Sequence, residues 1–267
     1  MSNSITSQIF SYLAPAKVNL CLNIGKKQLN GYHELASVVG FTEFGDTITI
    51  QTSNEDRLVL SGPFAESLPA NKNDNLIIRS VKKLRKLKYR IPPLKITIDK
   101  QIPVGGGLGG GSSDAATIFT ALNNLFNLNI SRADLEKITV KIGADIPVCF
   151  NRTFVVMRGI GDQITPIANA YVPQYVVLAN AGSIVDTKSV FEKFDDFQRE
   201  KNTKNITKNL DIKRFLENGN DLQDTTKKIY PEVEILLNTM MSLYPKNYAL
   251  RPSCIKMSGS GSSCFAL

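Results

Sequence analysis

The chain has 267 residues, of which 42% are hydrophobic and 21% are charged, and its formal net charge is +8. This composition is typical of a globular protein that buries a substantial core, and it argues against a disordered or fibrous chain. No apolar run reaches the roughly 20 residues that a membrane span requires, so we expect no role within a membrane.

The four cysteines are dispersed, form no C-x-x-C pair and are accompanied by a single histidine. This pattern predicts neither a disulfide framework nor a metal site. The N-terminus lacks the basic segment and the long apolar stretch of a secretory signal. We therefore expect a cytoplasmic protein, and the positive net charge favours anionic partners.

Strands and helices are mixed in the first half of the chain. Alternating apolar residues predict strands over residues 46–52 and 94–100, and helical spacing predicts a helix over residues 75–88. This helix carries much of the positive charge. Because Tyr89 is its only aromatic neighbour, a solvated basic face is favoured and RNA binding is a distant alternative.

A second helix is predicted over residues 112–125, where apolar residues recur every three or four positions. Ser131, with Asp134 three residues later, resembles a capping box and predicts the start of a third helix. That helix is expected to end near Gly143, since glycine is typical just after a helix.

The second half of the chain continues this mixture and indicates a domain boundary. Strands are predicted over residues 154–157, 174–179, 254–257 and 263–267, helices over residues 186–197 and 232–243, and a polar surface excursion over residues 199–213. A boundary near residue 165 gives two domains, residues 1–165 and 166–267. Because the chain stops on an apolar strand, we expect the second domain to lack its last segment.

A glycine-rich loop precedes the helix predicted over residues 112–125. Six of the seven residues from Gly105 to Gly111 are glycine, although glycine loses more backbone entropy on folding than any other residue. Backbone N–H groups exposed by glycine turns, together with the positive end of a helix dipole, bind anions. The loop therefore indicates a phosphate cradle, to which Ser112 or Ser113 adds a hydroxyl group.

Other glycine loops fit this segment less well. The spacing satisfies G-x-G-x-x-G, but Pro103 and an alternating strand precede it instead of the continuous apolar strand of a dinucleotide fold. A P-loop needs a lysine before Ser112, and a protein kinase needs V-A-I-K and H-R-D elements. A flexible linker is disfavoured because a helix follows directly.

Three more motifs accompany the loop. They are A-P-A-K-V-N-L with G-Y-H in residues 14–33, G-A-D-I-P in residues 143–147, and K-M-S-G-S-G-S-S in residues 256–263. With these motifs in this order, the chain resembles the GHMP kinases over nearly its whole length. The resemblance implies an α+β fold of two domains, the N-terminal one similar to ribosomal protein S5 domain 2 and the C-terminal one ferredoxin-like.

The resemblance also implies an activity. The G-Y-H and G-A-D-I-P motifs are similar to those of the members that phosphorylate the 2-hydroxyl of 4-diphosphocytidyl-2-C-methyl-D-erythritol in the non-mevalonate isoprenoid pathway. ATP is then the phosphoryl donor, with Mg²⁺ as the nucleotide complex. The implied partners are these small molecules, with neither nucleic acid nor membrane, and the implied state is a monomer or weak homodimer.

By resemblance, Lys17 is the catalytic lysine and Asp145 the catalytic aspartate. Asp145 would accept the proton of the attacking hydroxyl, and Lys17 would keep Asp145 ionised and stabilise charge on the moving phosphoryl group. The residues expected to bind ATP are Pro103, Val104, Gly105, Gly106, Gly107, Leu108, Gly109, Gly110, Gly111, Ser112 and Ser113.

The substrate residues also follow from the resemblance. Besides Asp145 they are Asn19, Tyr32, His33, Thr187 and Phe191. Tyr32 is expected to stack on the cytosine ring and His33 to make polar contacts with the base, while Phe191 would be a second stacking ring. Plain core packing is an equal alternative for Phe191.

Two further functions stay open at this point. A GHMP kinase of the mevalonate or homoserine type would share the loop and the general mechanism, although the G-Y-H element speaks against it. A nucleotide-binding module would keep the loop without catalysis, although Lys17 and Asp145 speak against that.

Overall fold

The computed structural model describes residues 8–68, 75–167, 175–198, 219–243 and 254–267. Its strands are β1 (Phe10–Lys27), β2 (His33–Thr52), β3 (Arg57–Ser61), β4 (Leu94–Asp99), β5 (Val155–Gly159), β6 (Gln163–Pro166), β7 (Val177–Asn180), β8 (Ile255–Met257) and β9 (Ser263–Ala266). Its helices are α1 (Leu76–Lys86), α2 (Gly110–Leu125), α3 (Arg132–Thr139), α4 (Ile146–Cys149), α5 (Thr187–Gln198), α6 (Gln223–Ile229) and α7 (Pro231–Leu243), with a 3₁₀ turn at Ala65–Ser67. The predicted α+β class is confirmed.

The chain forms two compact units whose segments alternate along the sequence. The first unit comprises Met1–Ala16, Glu43–Val104 and Gly110–Phe150, and the second comprises Lys17–Thr42, Gly105–Gly109 and Asn151–Leu267. Strands β1 and β2 therefore each contribute residues to both units. The division near residue 165, which concerns the family domains, stays a prediction.

The first unit is built around β4, which pairs antiparallel with residues 47–52 of β2 and parallel with β3. Its fully buried apolar side chains come from these strands, from α1 and α2, and from the segment between β4 and α2, as expected when helices cover one face of a sheet. They are Ile48, Ile50, Ile77, Leu84, Leu94, Ile98, Ile102, Ile118, Phe119 and Leu122.

The predicted helices of the first unit are present, although several of their ends are shifted. Helix α1 buries one face and ends in basic residues, so the amphipathic prediction is confirmed. Ser131 caps α3 by accepting a hydrogen bond from the N–H of Asp134. However, α3 ends at Thr139, because Ile142 and Gly143 both donate to the Thr139 carbonyl and close a turn there.

In the second unit, residues 35–39 of β2 pair antiparallel with β5, and β5 pairs antiparallel with β6. It also contains a separate three-stranded sheet in which β9 lies between β7 and β8. Its core joins β1, α5, α6, α7 and this sheet. The core residues are Leu22, Ile24, Val185, Val190, Phe194, Leu222, Val233, Leu237, Ile255, Met257 and Cys264.

Several elements differ from the sequence-based expectation. The alternating pattern did not predict β1, because residues 14–25 are all buried and include polar ones such as Lys17 and Asn19. The strand predicted over residues 174–179 is β7, Val177–Asn180. The polar excursion over residues 199–213 lies outside the described residues. None of the described helices has the length and apolar character needed to cross a membrane.

Candidate functional site

Within the second unit, the loop Gly105–Gly109 is fixed by a distant segment that leads into β9. This segment, residues 258–263, is called the serine turn. The hydroxyl of Ser258 donates a 3.0 Å hydrogen bond to the carbonyl of Gly107. The N–H of Ser263 donates to the carbonyl of Gly106 at 2.9 Å. The loop carbonyls are thereby satisfied by the serine turn, about 150 residues away in sequence.

Strand β1 contacts the same loop through Lys17. The backbone N–H of Lys17 donates a 2.8 Å hydrogen bond to the carbonyl of Leu108. The side chain is buried, with 4% of the residue exposed, and it lies against Gly109: a Cβ built there would be 3.0 Å from Lys17 Cε. Lys17 is thus brought to the glycine loop by both its backbone and its side chain.

Glycine is required at position 107 for two reasons. Its φ of +77° lies in the left-handed region, which other residues rarely adopt. A Cβ there would also lie 2.3 Å from the carbonyl oxygen of Ser258, which is closer than van der Waals contact allows. The close approach of two backbones therefore depends on the missing side chain.

Asn19 joins β1 to the serine turn. Its N–H donates to the Ser258 hydroxyl at 3.0 Å, and the same hydroxyl donates to Gly107. Its side-chain amide donates to the Ser37 hydroxyl at 2.8 Å. With 3% of the residue exposed, the orientation of the Asn19 amide is fixed by these contacts.

Residues of α6 and of the loop before it hold the serine turn in place. The side-chain amide of Asn220 donates to the carbonyls of Met257 at 2.9 Å and Gly259 at 2.6 Å. The hydroxyl of Thr226 donates to the carbonyl of Ser260 at 3.1 Å. The turn is therefore a rigid part of the second unit, and more than a simple hairpin connection.

In the first unit, the start of α2 is anchored by a buried ion cluster. Helix α2 begins at Gly110, two residues earlier than predicted, so part of the glycine run is already helical. The ammonium group of Lys100 bonds the carboxylates of Asp46 and Asp114, the latter at 2.8 Å. A Cβ on Gly110 would lie 3.0 Å from Lys100 Nζ, so the helix start packs directly on this cluster.

The charges of this cluster are unequal in number, two carboxylates to one ammonium. Burial raises the pKa of Asp114 to about 7, opposed by the charge of Lys100 and reinforced by that of Asp46. Burial by itself lowers the pKa of Lys100, but the two carboxylates outweigh it and hold that pKa above its usual range. Lys100 is therefore charged, and Asp114 takes up a proton at a higher pH than an ordinary aspartate does.

Two side-chain oxygens at the same helix start are buried without a hydrogen-bond partner among the described residues. They are Ser113 Oγ and Asp114 Oδ1. Ser112 is half-buried, as are Pro103 and Val104 before the loop. Of the two serines expected to contact phosphate, Ser112 is the more accessible, because only 1% of Ser113 is exposed.

Asp145 lies in the first unit, at the residue preceding α4. Its side chain is half-buried and does not cap the helix. Ile146 and Pro147 follow at the helix start and are buried. Since Lys17 belongs to the second unit, the pairing of Lys17 with Asp145 stays a prediction.

The other expected substrate residues lie in the second unit. Tyr32 is exposed in the turn between β1 and β2, with 55% of the residue accessible. His33 begins β2, is buried, and stacks on Phe191 with 5.2 Å between ring centroids. Phe191 also packs against the core of this unit, as the core-packing alternative expects, while its stacking on the substrate stays a prediction.

Thr187 is the first residue of α5, and its hydroxyl lies 2.8 Å from that of Ser260 in the serine turn. The second unit thus brings together Lys17, Asn19 and Thr187 with the loop Gly105–Gly109. Asn19, Thr187 and the loop bond the serine turn directly, whereas Lys17 is joined to it through the loop.

Sequence reasoning missed several residues that shape these contacts. Asn220 and Thr226 carry no local motif, and Lys100 and Asp46 resemble ordinary residues at strand ends. Asp195, which bonds His33, lies 162 residues away from it in sequence. Only spatial proximity singles out these groups. Within the described ranges, no three His, Cys, Asp or Glu side chains are grouped so that they could hold a metal ion.

Comparison with known proteins gives one family model and many relatives. The model for the GHMP kinases N terminal domain matches residues 75–152. The 4-diphosphocytidyl-2-C-methyl-D-erythritol kinase of Rhodospirillum rubrum is 33% identical over 95% of this chain and 82% of its own length. The enzyme of the same name from Anaplasma marginale (strain Florida) is 33% identical over 95% of this chain and 86% of its own.

Solved structures agree with these relatives. A crystal structure of 4-(cytidine 5'-diphospho)-2C-methyl-D-erythritol kinase is 28% identical, with a TM-score of 0.76, covering 97% of this chain and 90% of that one. The mevalonate kinase of L. major is 17% identical, with a TM-score of 0.62, over 100% of this chain and 90% of its own. The second likeness shows the shared fold alone.

Proposed function

Because this chain belongs to the 4-diphosphocytidyl-2-C-methyl-D-erythritol kinase family of the GHMP kinases, we propose that it catalyses the reaction named in that family. The γ-phosphoryl group of ATP is transferred to the 2-hydroxyl of 4-diphosphocytidyl-2-C-methyl-D-erythritol. The products are the 2-phosphate and ADP, and the step belongs to isoprenoid precursor biosynthesis in the cytoplasm. The protein acts as a monomer or weak homodimer.

One observation of the second unit supports the proposal most directly. The loop Gly105–Gly109, the strand residues Lys17 and Asn19, and the serine turn at Ser258 are hydrogen bonded to one another. These three stretches carry three of the four motifs that resemble the family. A preorganised loop of this kind presents backbone N–H groups to phosphate without further ordering cost.

The proposed chemistry uses one acid–base group and one cation. Asp145 accepts the proton of the 2-hydroxyl as its oxygen attacks the γ-phosphorus, and the bond from that phosphorus to the bridging oxygen of ADP breaks. Lys17 stabilises the negative charge on the phosphoryl oxygens during transfer. Mg²⁺ bound to the nucleotide would neutralise part of the phosphate charge, and no protein ligand is assigned to it.

The cytidine end of the substrate is assigned to the second unit. Tyr32 stacks on the base from its exposed turn, and Phe191 offers a second ring from α5. His33 contacts the polar edge of the base, while Asn19 and Thr187 contact the sugar-alcohol side.

A coupled ADP-release assay with the cytidine substrate tests the proposal. We expect Lys17→Ala to lower kcat by about 10²–10³-fold, because one stabilising group for the transition state is lost. We expect Asp145→Asn to lower kcat by about 10²–10⁴-fold, the usual contribution of a general base. The matched controls are Lys26→Ala, an exposed lysine of the same strand, and Asp224→Asn, an exposed aspartate of α6.

The same assay with a panel of acceptors separates this function from its relatives. Turnover of mevalonate or homoserine, without turnover of the cytidine compound, would contradict the proposed substrate. ATP binding with no turnover of any acceptor would favour a nucleotide-binding module. Full activity of Asp145→Asn would remove the proposed base.

A further inference from the structure

A carboxylate of α5 that no motif singles out is bonded to the imidazole of His33. Asp195 Oδ1 lies 2.6 Å from His33 Nε2. The other carboxylate oxygen of Asp195 accepts a 2.6 Å hydrogen bond from the ammonium group of Lys27. The imidazole is 5% exposed and Asp195 is 24% exposed, so the bond is shielded from solvent on the histidine side.

Helix α5 presents this carboxylate on the face that carries other expected substrate residues. Thr187, Phe191 and Asp195 follow one another at intervals of four residues, which places them on one face of a helix. Thr187 contacts Ser260, Phe191 stacks on His33, and Asp195 bonds His33. The imidazole is therefore fixed by two side chains of the same helix face.

Asp195 is bonded through both carboxylate oxygens, one to His33 and the other to Lys27. Burial acts to raise the pKa of Asp195, but the hydrogen bonds from Lys27 and His33 outweigh it and keep this pKa below its usual range. Asp195 is therefore an ionised acceptor.

In a neutral imidazole one nitrogen carries the proton and the other accepts hydrogen bonds. The nitrogen that faces an ionised carboxylate must be the one that carries the proton. Nε2 of His33 is then the donor to Asp195, and Nδ1 is left with its lone pair. Such an Nδ1 pairs with an amino group and not with a carbonyl oxygen.

We propose that Asp195 is a positioning residue that makes His33 selective for a base carrying an exocyclic amino group, as cytosine does. The proposal rests on the proposed function, in which His33 contacts the base. Uracil presents a carbonyl oxygen where cytosine presents the amino group, so an Nδ1 lone pair repels it. Without Asp195 the proton can move to Nδ1, and the ring then accepts either base.

The chain contains a single histidine, so its imidazole can be observed without assignment. With an untagged protein labelled with ¹⁵N, the two ring nitrogens report the tautomer at a pH above neutrality. We expect the Nε2–H form in the unaltered protein and an increased share of the Nδ1–H form in Asp195→Ala. Asp196→Ala, the neighbouring and more exposed aspartate of α5, is the matched control.

The kinetic arm compares 4-diphosphocytidyl-2-C-methyl-D-erythritol with its uridine counterpart. We expect Asp195→Ala to lower kcat/KM for the cytidine compound about tenfold, through KM, as for the loss of one well-placed hydrogen bond. The ratio of kcat/KM for the cytidine compound to that for the uridine compound should also fall at least about tenfold. KM for ATP should stay the same. Asp195→Glu should restore part of the preference for cytidine. A purely structural role of Asp195 would leave the preference and the tautomer unchanged.

The two arms distinguish failure of this inference from failure of the proposed function. If the unaltered protein phosphorylates neither compound, the proposed function fails, while the ring spectrum still reports what Asp195 does to His33. If turnover is normal and Asp195→Ala changes neither the tautomer nor the preference, the inference is overturned. An equal effect of Asp196→Ala would also overturn it.

Discussion

The loop Gly105–Gly109 and the first turn of α2 are consecutive in sequence, yet different chemistry holds each of them. In the second unit, the loop is fixed by neutral hydrogen bonds from Ser258, Ser263 and the backbone of Lys17. In the first unit, the turn rests on the buried charges of Lys100, Asp46 and Asp114. A neutral network is indifferent to pH, whereas the buried ion cluster responds to proton uptake by Asp114.

The largest effect is expected where the ion cluster loses its only cation. Lys100→Met leaves two buried carboxylates without the counter-ion that they share, and we expect the free energy of unfolding to fall by about 3–5 kcal/mol. Urea denaturation measures this loss. Lys95→Met, an exposed lysine on β4, is the matched control and should change stability by less than about 0.5 kcal/mol. Equal stability of the two variants would show that the cluster does not anchor α2.

The next largest effect is expected in the neutral hydrogen-bond network that fixes the loop Gly105–Gly109. Gly107→Ala places a Cβ against the Ser258 carbonyl at a left-handed φ, and we expect a loss of about 3 kcal/mol in the free energy of unfolding. The specificity constant for ATP should fall at least about tenfold, since the loop must shift.

Gly182→Ala separates the clash from the backbone strain. Gly182 has a φ of +85°, but a Cβ there meets nothing within 4 Å among the described residues. We expect it to cost only about 1–2 kcal/mol, the strain of the left-handed conformation. Normal ATP kinetics in Gly107→Ala would mean that the contact with Ser258 does not shape the nucleotide loop.

A further effect is a difference in the pH dependence of the free energy of unfolding. The pKa of Asp114 is raised from 3.8 to about 7 in the folded protein, so its contribution to stability is fully present below pH 3.8 and is lost as pH rises through 7. The free energy of unfolding should therefore fall with rising pH by at most about 1.4 kcal/mol per pH unit because of Asp114. Asp114→Asn should remove this fall, which denaturation at a series of pH values measures.

Ser258→Ala provides the neutral counterpart of that experiment. It should lower stability by about 1 kcal/mol at every pH, because it removes hydrogen bonds between groups that do not titrate. If the loss of stability in Ser258→Ala depended on pH, or if Asp114→Asn left the pH dependence of stability unchanged, the distinction between the neutral network and the ion cluster would be contradicted.

Much of the fold follows from the sequence, because local patterns report local structure. The periodicity of apolar residues predicts helices α1 and α2, and two short apolar runs around S-G-S-G-S predict the strand pair β8 and β9. Strand β1 is not predicted in this way, since twelve consecutive buried positions leave no alternation, and polar residues such as Lys17 and Asn19 are buried for reasons that only distant partners explain.

The candidate site shows the same limit. Motifs identified Gly107, Lys17 and Asn19, because the family pattern marks stretches of chain. The residues that hold these in place, such as Asn220 and Lys100, act through contacts with parts of the chain far away in sequence. No local pattern distinguishes a buried ion-paired lysine from an exposed one, so these supports became visible only in three dimensions.

The order of strands in the three-stranded sheet has a consequence for the synthesis of the chain on the ribosome. Strand β9 lies between β7 and β8 but follows both of them in sequence, so a nascent chain cannot assemble this sheet until the ribosome has passed residue 263. The serine turn that holds Gly106 and Gly107 immediately precedes β9. The serine turn is thus made about 150 residues after the glycine loop that it holds, and ribosome-bound precursors that end before residue 258 lack it.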